Sequence, residues 1–249
     1  MINGHFSQSA LVLRETKYKE ADRIITLYSS EEGKITAKAQ GALRKNSKFS
    51  AATQMLTYSD ITLFGNKGKY SVTEASIKEE FKGLRENFEN YALACYFTDC
   101  IENFAEEDVA DKGIMQLILN SLYALSNNLY NPLLIKAAFE LRLMCLAGYT
   151  PDLNSCSVCG KENPDSPTFG YETGHICCRK CRNAEIGLTD YLCSKSLLAM
   201  KYIISCPPKS LFSFDVDEES LKRLSIACED FLIFNAGHKF STLDYWKHL

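Results

Sequence analysis

Hydrophobic and polar residues follow two different periods along this chain. In the first 80 residues, short runs of apolar, β-branched and aromatic residues alternate with turn-forming residues, which predicts five β-strands. The runs cover residues 9–17, 23–29, 34–42, 54–64 and 69–77. A small sheet removes its exposed edges by closing, so we expect a small closed barrel. The strand count fits an OB-type barrel, and an SH3-like barrel nearly as well.

After Gly83 the apolar residues recur with a period of about 3.6 residues, which is typical of amphipathic helices. Residues 114–125 form the first clear example. Asn131 followed by Pro132 predicts the start of another helix. Because that helix is apolar on all its faces, we expect it to be buried.

Helical periodicity resumes near the C-terminus of the chain. One predicted helix ends at Pro207-Pro208, and a second begins at the acidic cluster of residues 215–219. The tail from Phe240 to Leu249 is unusually apolar for a terminus. We therefore expect it to pack against the protein or to meet a partner.

Between these helical segments lie two C-x-x-C pairs, Cys156/Cys159 and Cys178/Cys181, with 18 residues between them. This spacing is typical of a zinc site with four thiolates. The intervening loop is poor in aliphatic residues, so a metal would have to supply part of its folding free energy. Four thiolates leave no open coordination position, so the predicted Zn²⁺ is structural rather than catalytic.

Other interpretations of these cysteines remain open. Cys177 is adjacent to Cys178 and is an alternative third ligand, and His175 could replace a thiolate. An iron–sulfur cluster usually has three cysteines at closer spacing. Disulfides need an oxidising compartment, and the first 15 residues contain no apolar core of a signal peptide. We expect the six other cysteines to be buried in a protein of the reducing cytosol.

Charge is unevenly distributed along the chain, although the net charge is only −3. Between Glu32 and Asp60 there is no acidic residue. The same stretch contains five cations, Lys34, Lys38, Arg44, Lys45 and Lys48. Such segregation can create a local positive field that suits phosphates. Nearby aromatic residues, Phe49, Tyr58 and Tyr70, could stack on bases, or they could belong to the core beside a solvated loop.

Signatures of catalysis are missing from the sequence. It contains no G-x-x-x-x-G-K-[ST], no H-E-x-x-H and no G-x-S-x-G motif. It also lacks the H-x-E partner that a zinc deaminase needs. No apolar run is as long as a membrane-spanning helix. We therefore expect neither an enzyme nor a small-molecule substrate, and no association with membranes.

Residues 39–48 read AQGALRKNSK. Further short stretches cover residues 10–14, 20–27, 32–34 and 148–153, followed by the two C-x-x-C pairs. In this order the stretches resemble the RecO family of bacterial recombination mediators, although Leu43 stands where the family often has arginine and Met55 where it often has proline. Together they extend over nearly the whole chain.

The resemblance implies an α+β multidomain protein. An N-terminal OB-type β-barrel, the nucleic-acid-binding domain, would occupy residues 1–80. An α-helical domain, residues 81–152 and 186–249, would be interrupted by a four-cysteine zinc module at residues 153–185. The implied location is the bacterial cytoplasm, at the nucleoid.

The resemblance also implies a non-enzymatic role in DNA repair and recombination. RecO-like proteins bind single- and double-stranded DNA and anneal complementary strands. With RecR they help to load RecA onto DNA coated by the single-stranded-DNA-binding protein, in the RecF recombination pathway. The DNA-facing residues carried over to this sequence are Arg44, Lys45 and Lys48, followed by Lys34, Lys38, Arg14 and Arg23.

Two alternatives belong to other classes of protein. One is a zinc-stabilised adaptor that binds only proteins, through Trp246 and the apolar tail. The other is a zinc-dependent enzyme acting on nucleic acid, which would need an open metal site.

Overall fold

A computed structural model describes residues 3–107, 109–164, 167–182 and 188–249. The chain divides into two compact units, residues 1–126 with Leu249 and residues 127–248. The domain boundaries at residues 80 and 152 stay predictions, and the boundary between residues 185 and 186 lies outside the described residues.

The first unit begins with five strands, which confirm the five predicted from the sequence. They are β1 (Gly4–Tyr18), β2 (Asp22–Ser29), β3 (Gly33–Ala39), β4 (Tyr58–Asn66) and β5 (Lys69–Glu79). They are hydrogen-bonded in the order β1-β2-β3-β5-β4, and β4 pairs in turn with β1. The β3–β5 pair is parallel and the other pairs are antiparallel.

Apolar side chains at every second position of these strands point into the space that the ring of strands encloses. This alternation follows from the period of two of a β-strand. The buried cluster includes Ala10, Val12, Ile25, Leu27, Ile35, Ala37, Ile61, Leu63 and Val72. Gly33 begins β3 with φ +68°, as the hairpin pattern EEGK predicts. A Cβ atom at this position would lie 2.2 Å from the carbonyl oxygen of Val109, so the close approach also requires glycine.

The described residues of the first unit also include three helices: α1 (Gly83–Glu86), α2 (Phe88–Phe104) and α3 (Lys112–Ser126). The helix predicted over residues 114–125 is confirmed as α3. The helix α2 was not predicted. Its N-terminus is capped by Asn87, whose side chain accepts a hydrogen bond from the backbone N–H of Asn90 at 3.0 Å.

In the second unit, the described residues form four α-helices: α4 (Pro132–Leu146), α5 (Ser194–Ser205), α6 (Glu218–Ala236) and α7 (Ser241–Lys247). Asn131 caps α4 by accepting a hydrogen bond from the N–H of Leu133 at 2.8 Å. The prediction that α4 is buried is confirmed, and α4 packs against both α5 and α6. In the tail, Phe240 and Leu243 are buried, so part of the apolar terminus packs against its own chain.

Four short strands form a second sheet around the cysteine pairs, which the sequence did not predict. They are β6 (Asp152–Cys156), β7 (Thr168–Gly170), β8 (His175–Cys177) and β9 (Leu188–Tyr191), in the order β6-β8-β7-β9. Cys156 ends β6, and Cys178 directly follows β8. Because β6 and β8 are neighbours, the sheet brings the two cysteine pairs together.

Among the described residues, no helix combines the length and the apolar character that crossing a membrane requires.

Candidate nucleic-acid interface and metal centre

The basic segment of residues 40–48, which we call the basic loop, follows the end of β3. The segment is a succession of hydrogen-bonded turns. The N–H of Arg44 donates to the carbonyl of Gly41 at 3.1 Å, and the N–H of Ser47 donates to the carbonyl of Arg44 at 3.0 Å. Gly41 has φ +69°, which glycine adopts without strain. The side chains of Arg44, Lys45 and Lys48 are exposed along these turns.

The start of the basic loop is anchored to the turn between β1 and β2. The Asp22 carboxylate accepts a hydrogen bond from the N–H of Gly41 at 2.8 Å and forms an ion pair with Lys38, also at 2.8 Å. The hydrogen bond from Lys38, followed by that from Gly41, lowers the pKa of Asp22 below its ordinary value. The N–H of Leu43 donates to the carbonyl of Ala21 at 2.9 Å. These contacts fix where the loop leaves the sheet.

Beyond the basic loop the chain is held by Arg23, which is only 6% exposed. Its guanidinium donates to the carbonyl of Ser50 at 3.0 Å and to the hydroxyl of Thr53 at 2.9 Å. It also forms an ion pair with Glu15 at 3.1 Å. Arg23 therefore positions the segment after the loop from inside the protein, and its charge is already compensated.

The seven cations predicted to face DNA thus fall into two groups. Four of them have partners in the protein: besides Arg23 and Lys38, Arg14 pairs with Glu102, and Lys34 donates to the carbonyl of Glu102 at 2.8 Å. The other three are Arg44, Lys45 and Lys48. Within the described part of the chain, no carboxylate lies within ion-pair distance of these three. This second group is exposed and has no carboxylate partner among the described residues.

The aromatic residues proposed from the sequence do not all face solvent. Phe49 and Tyr70 pack against the interior of the first sheet, and Lys78 lies 5.3 Å from the ring centroid of Tyr58. Sequence reasoning missed Tyr18, which is 43% exposed at the end of β1. The Nζ atoms of Lys19 and Lys38 lie 5.5 and 5.6 Å from its ring centroid. The triplet Lys17-Tyr18-Lys19 at a predicted strand end was the available signal.

The four predicted zinc ligands come together in the second unit. The Sγ atoms of Cys156, Cys159, Cys178 and Cys181 all lie within 4.8 Å of one another. The sulfurs of Cys159 and Cys178 are 3.8 Å apart. A tetrahedral zinc ion with Zn–S distances of about 2.3 Å separates its sulfurs by about 3.8 Å. The group therefore fits a tetrahedrally coordinated metal ion.

Backbone hydrogen bonds shape both cysteine turns. The N–H of Gly160 donates to the carbonyl of Cys156 at 2.9 Å, and the N–H of Cys181 donates to that of Cys178 at 2.9 Å. Gly160 has φ +71°, so glycine suits this turn. The N–H of Cys178 also donates to the sulfur of Cys156 at 3.3 Å, which joins the two turns.

These contacts perturb the acidity of the thiols. Burial raises the pKa of Cys156, but backbone N–H groups, first that of Cys178, outweigh burial and lower it to about 6. Hydrogen bonds among the thiols, the largest from Cys178, raise the pKa of Cys181 to about 12. Sulfurs this close cannot all ionise without a cation between them, so the donor set favours a bound divalent ion.

The two alternative ligands lie outside this group. Cys177 is buried, and its thiol lies 3.5 Å from the carbonyl oxygen of Cys178, to which it donates. His175 is exposed at the start of β8. The structure thus brings together the two C-x-x-C pairs as the spacing predicted, with Cys178 and not Cys177 in the group. No disulfide links the described cysteines.

The sequence matches two protein-family models and several known proteins. Residues 1–81 match the model of the "Recombination protein O N terminal" family, and residues 85–244 match "Recombination protein O C terminal". A protein of Acetivibrio thermocellus named "DNA repair protein RecO" is 34% identical over 246 residues, 99% of this chain and 98% of that protein.

Two more relatives carry the same name. The protein of Alkaliphilus metalliredigens is 31% identical over 196 residues, covering 75% of this chain and 80% of the relative. That of Dehalococcoides mccartyi is 29% identical over 225 residues, covering 89% and 87%. The similarity therefore extends across both compact units.

Proposed function

We infer the function from one premise: the chain belongs to the RecO family of DNA repair proteins. We propose that it is a recombination mediator that binds single- and double-stranded DNA and anneals complementary strands. Together with RecR it helps to load RecA onto DNA coated by the single-stranded-DNA-binding protein. It acts in the bacterial cytoplasm at the nucleoid, without catalysing a chemical reaction.

The observation that carries this proposal is the uncompensated charge of the basic loop. Arg44, Lys45 and Lys48 are exposed and have no carboxylate partner in the described structure. Anchoring by Asp22 and Arg23 fixes the backbone that presents them. Cations held in this way bind phosphates at a smaller entropic cost than cations on an unstructured loop.

The topology of the first sheet supports the same proposal. A ring of pairings in the order β1-β2-β3-β5-β4, with β3 and β5 parallel, is the arrangement of an OB-type barrel. In OB folds the face of strands 2 and 3 and the β1–β2 and β4–β5 loops bind nucleic acids. In this chain the β1–β2 turn is the one that anchors the basic loop.

For the four-cysteine group we propose structural Zn²⁺. Thiolate ligands select soft or borderline metal ions, and the spacing and sulfur separations suit zinc. Bound zinc would supply charge compensation for the four sulfurs and hold β6 beside the turn that follows β8. All four positions are taken by protein ligands, so zinc in this group has no position left for a water molecule.

Substitution of the three loop cations tests the proposal. We expect Arg44→Ala/Lys45→Ala/Lys48→Ala to weaken DNA binding and to flatten the dependence of log K on log salt. Each lost phosphate contact reduces that slope by about one unit on duplex DNA, so the total change is up to about three. Fluorescence anisotropy with short labelled oligonucleotides at several salt concentrations measures both quantities.

The matched control removes three exposed lysines elsewhere, Lys82→Ala/Lys112→Ala/Lys209→Ala, with the same change in net charge. This variant should bind DNA like the wild type. An unchanged affinity and salt slope for the loop variant would contradict the proposal. If the wild-type protein bound no DNA even at low salt, the chain would instead be a protein-binding adaptor.

A further inference from the structure

Tyr18 stands out among the aromatic residues of the first unit because it combines exposure with two neighbouring ammonium groups. It is the last residue of β1, directly opposite Asp22 in the β1–β2 register. Tyr18 is 43% exposed, and the Nζ atoms of Lys19 and Lys38 lie 5.5 and 5.6 Å from the centroid of its ring. An exposed ring with cations nearby is suited to a flat, anionic ligand.

The surroundings connect Tyr18 to the basic loop. Lys38 also pairs with Asp22, and the same carboxylate accepts the hydrogen bond from Gly41 that begins the loop. The ring, the β1–β2 turn and the start of the basic loop therefore form one continuous surface. We call this surface, defined by Tyr18, Lys19, Lys38 and the basic loop, the stacking platform.

Further exposed lysines lie along the sheet beyond the stacking platform. Lys38 pairs in register with Ser71 near the start of β5. Lys67 in the preceding β4–β5 turn and Lys69, the first residue of β5, are both exposed. A nucleic-acid strand that runs from Tyr18 across the ends of β3 and β5 would keep its phosphates near positive charge.

We propose that Tyr18 stacks on an unpaired base and thereby gives the DNA site a preference for single strands. The inference rests on the proposed function, since it assigns a further residue to the same site. An exposed cation–π contact is weaker than stacking of a base on an aromatic ring. A base can therefore displace Lys19, which is exposed on the turn, while the ion pair with Asp22 retains Lys38. The displaced ammonium can then contact a neighbouring phosphate.

Stacking on Tyr18 would distinguish single-stranded from double-stranded DNA. In a duplex the bases are paired and stacked on each other, so Tyr18 has no base face to contact. In a single strand the base face is available. The basic loop contacts the phosphates of both kinds of DNA, whereas Tyr18 contacts a base only in the single strand.

Three ligands of equal length distinguish stacking from phosphate contact: oligodeoxythymidine, an oligomer of abasic residues with the same phosphates, and a blunt duplex. We expect Tyr18→Leu to weaken binding of oligodeoxythymidine on the order of tenfold. Its affinity for the abasic oligomer and the duplex should equal that of the wild type, with an unchanged salt slope. Tyr18→Phe keeps the ring and should bind all three ligands like the wild type.

The outcomes separate this inference from the proposed function. Equal losses for Tyr18→Leu on all three ligands, or no loss on oligodeoxythymidine, would overturn the stacking role. If at the same time the triple variant of the basic loop lost affinity on all three ligands, the proposed function would stand alone. Failure of the wild type to bind any of them would overturn both.

Discussion

Lys136 carries a positive charge in the interior of the second unit. Its side chain on α4 is 1% exposed, and its ammonium lies 2.9 Å from a carboxylate oxygen of Glu140 and 2.9 Å from one of Glu229. Burial lowers the pKa of Lys136, but the two carboxylates outweigh burial and raise it above its ordinary value of 10.5. On the alkaline side, the stabilisation from the Lys136 charge is therefore complete up to about pH 10.5 and is lost as pH rises through the raised pKa. On the acid side it requires that the two carboxylates stay ionised.

Substitution of Lys136 should be strongly destabilising for this reason. We expect Lys136→Met to cost about 3–5 kcal/mol, because the carboxylate of Glu140 would remain buried without its cation. Lys136→Met/Glu140→Leu removes both charges and should regain most of this loss. The free energies of unfolding in urea measure both effects. A double variant that is no more stable than the single one would show that the buried charge is not the cause.

The partners of single residues could not be predicted from the sequence. The family resemblance ranked the three cations of the basic loop ahead of the other four, but the sequence alone could not show that those four have partners in the protein. The partner of Arg14 and Lys34 is Glu102, which lies far along the chain on α2. Such pairings depend on tertiary structure. Tyr18 was missed for a related reason, since its two lysines come from different strand ends.

Cys193 departs from the expectation for the cysteines outside the metal group. Burial raises its pKa, but hydrogen bonds from Ser196, Ser220 and backbone N–H groups outweigh burial and lower it. Its sulfur caps α5 by accepting from the N–H of Ser196 at 3.4 Å. Of the other five, Cys100, Cys206 and Cys228 are buried as expected, whereas Cys95 and Cys145 are, like Cys193, only partly buried. Desolvation raises the pKa of Cys95 and that of Cys228.

At the scale of elements, zinc bound to the four-cysteine group would hold together strands that are too short to be stable alone. The strands β7 and β8 contain three residues each. A sheet of such strands buries little apolar surface, so bound metal would supply much of its free energy of folding. This explains why periodicity did not predict β6–β9, whereas the cysteine spacing did predict the module.

Loss of one sulfur ligand should therefore affect the metal and the stability together. We expect Cys159→Ser to lose bound zinc and to lower the Tm by several degrees, since about 1 kcal/mol shifts the Tm of a chain of this size by about 2–4 °C. Metal analysis and thermal unfolding measure the two effects. DNA affinity should be unchanged, because the basic loop lies in the other compact unit.

Cys177→Ser is the matched control for this prediction. Cys177 neighbours a ligand but lies outside the group of four sulfurs, so the variant should keep its full zinc content. Loss of metal from Cys177→Ser, with retention in Cys159→Ser, would contradict the assigned ligand set.

Strands and helices of both units were predictable where their apolar residues follow a regular period. The five strands followed from runs of β-branched residues, and α3 and α4 followed from apolar periodicity and from the Asn131 cap. The helix α2 was not isolated, because its buried positions include polar residues such as Asn90 and Thr98. These residues interrupt the apolar stripe on which the prediction depends.

On the scale of the whole molecule, charge and family point to the same activity. The chain is acidic, with a net charge of −3, yet its basic loop concentrates uncompensated cations at one end of the first sheet. A global excess of negative charge limits non-specific binding, while a local positive surface still attracts DNA. Relatives over nearly the full length of the chain are named DNA repair proteins.

Strand annealing tests the central claim most directly. Complementary oligonucleotides, one with a fluorophore and one with a quencher, report duplex formation in the presence and absence of the single-stranded-DNA-binding protein. We expect the wild type and the Lys82→Ala/Lys112→Ala/Lys209→Ala control to accelerate annealing equally. The Arg44→Ala/Lys45→Ala/Lys48→Ala variant should anneal strands at close to the spontaneous rate. A loop variant that anneals as fast as the wild type, or a wild type without annealing activity, would contradict the account.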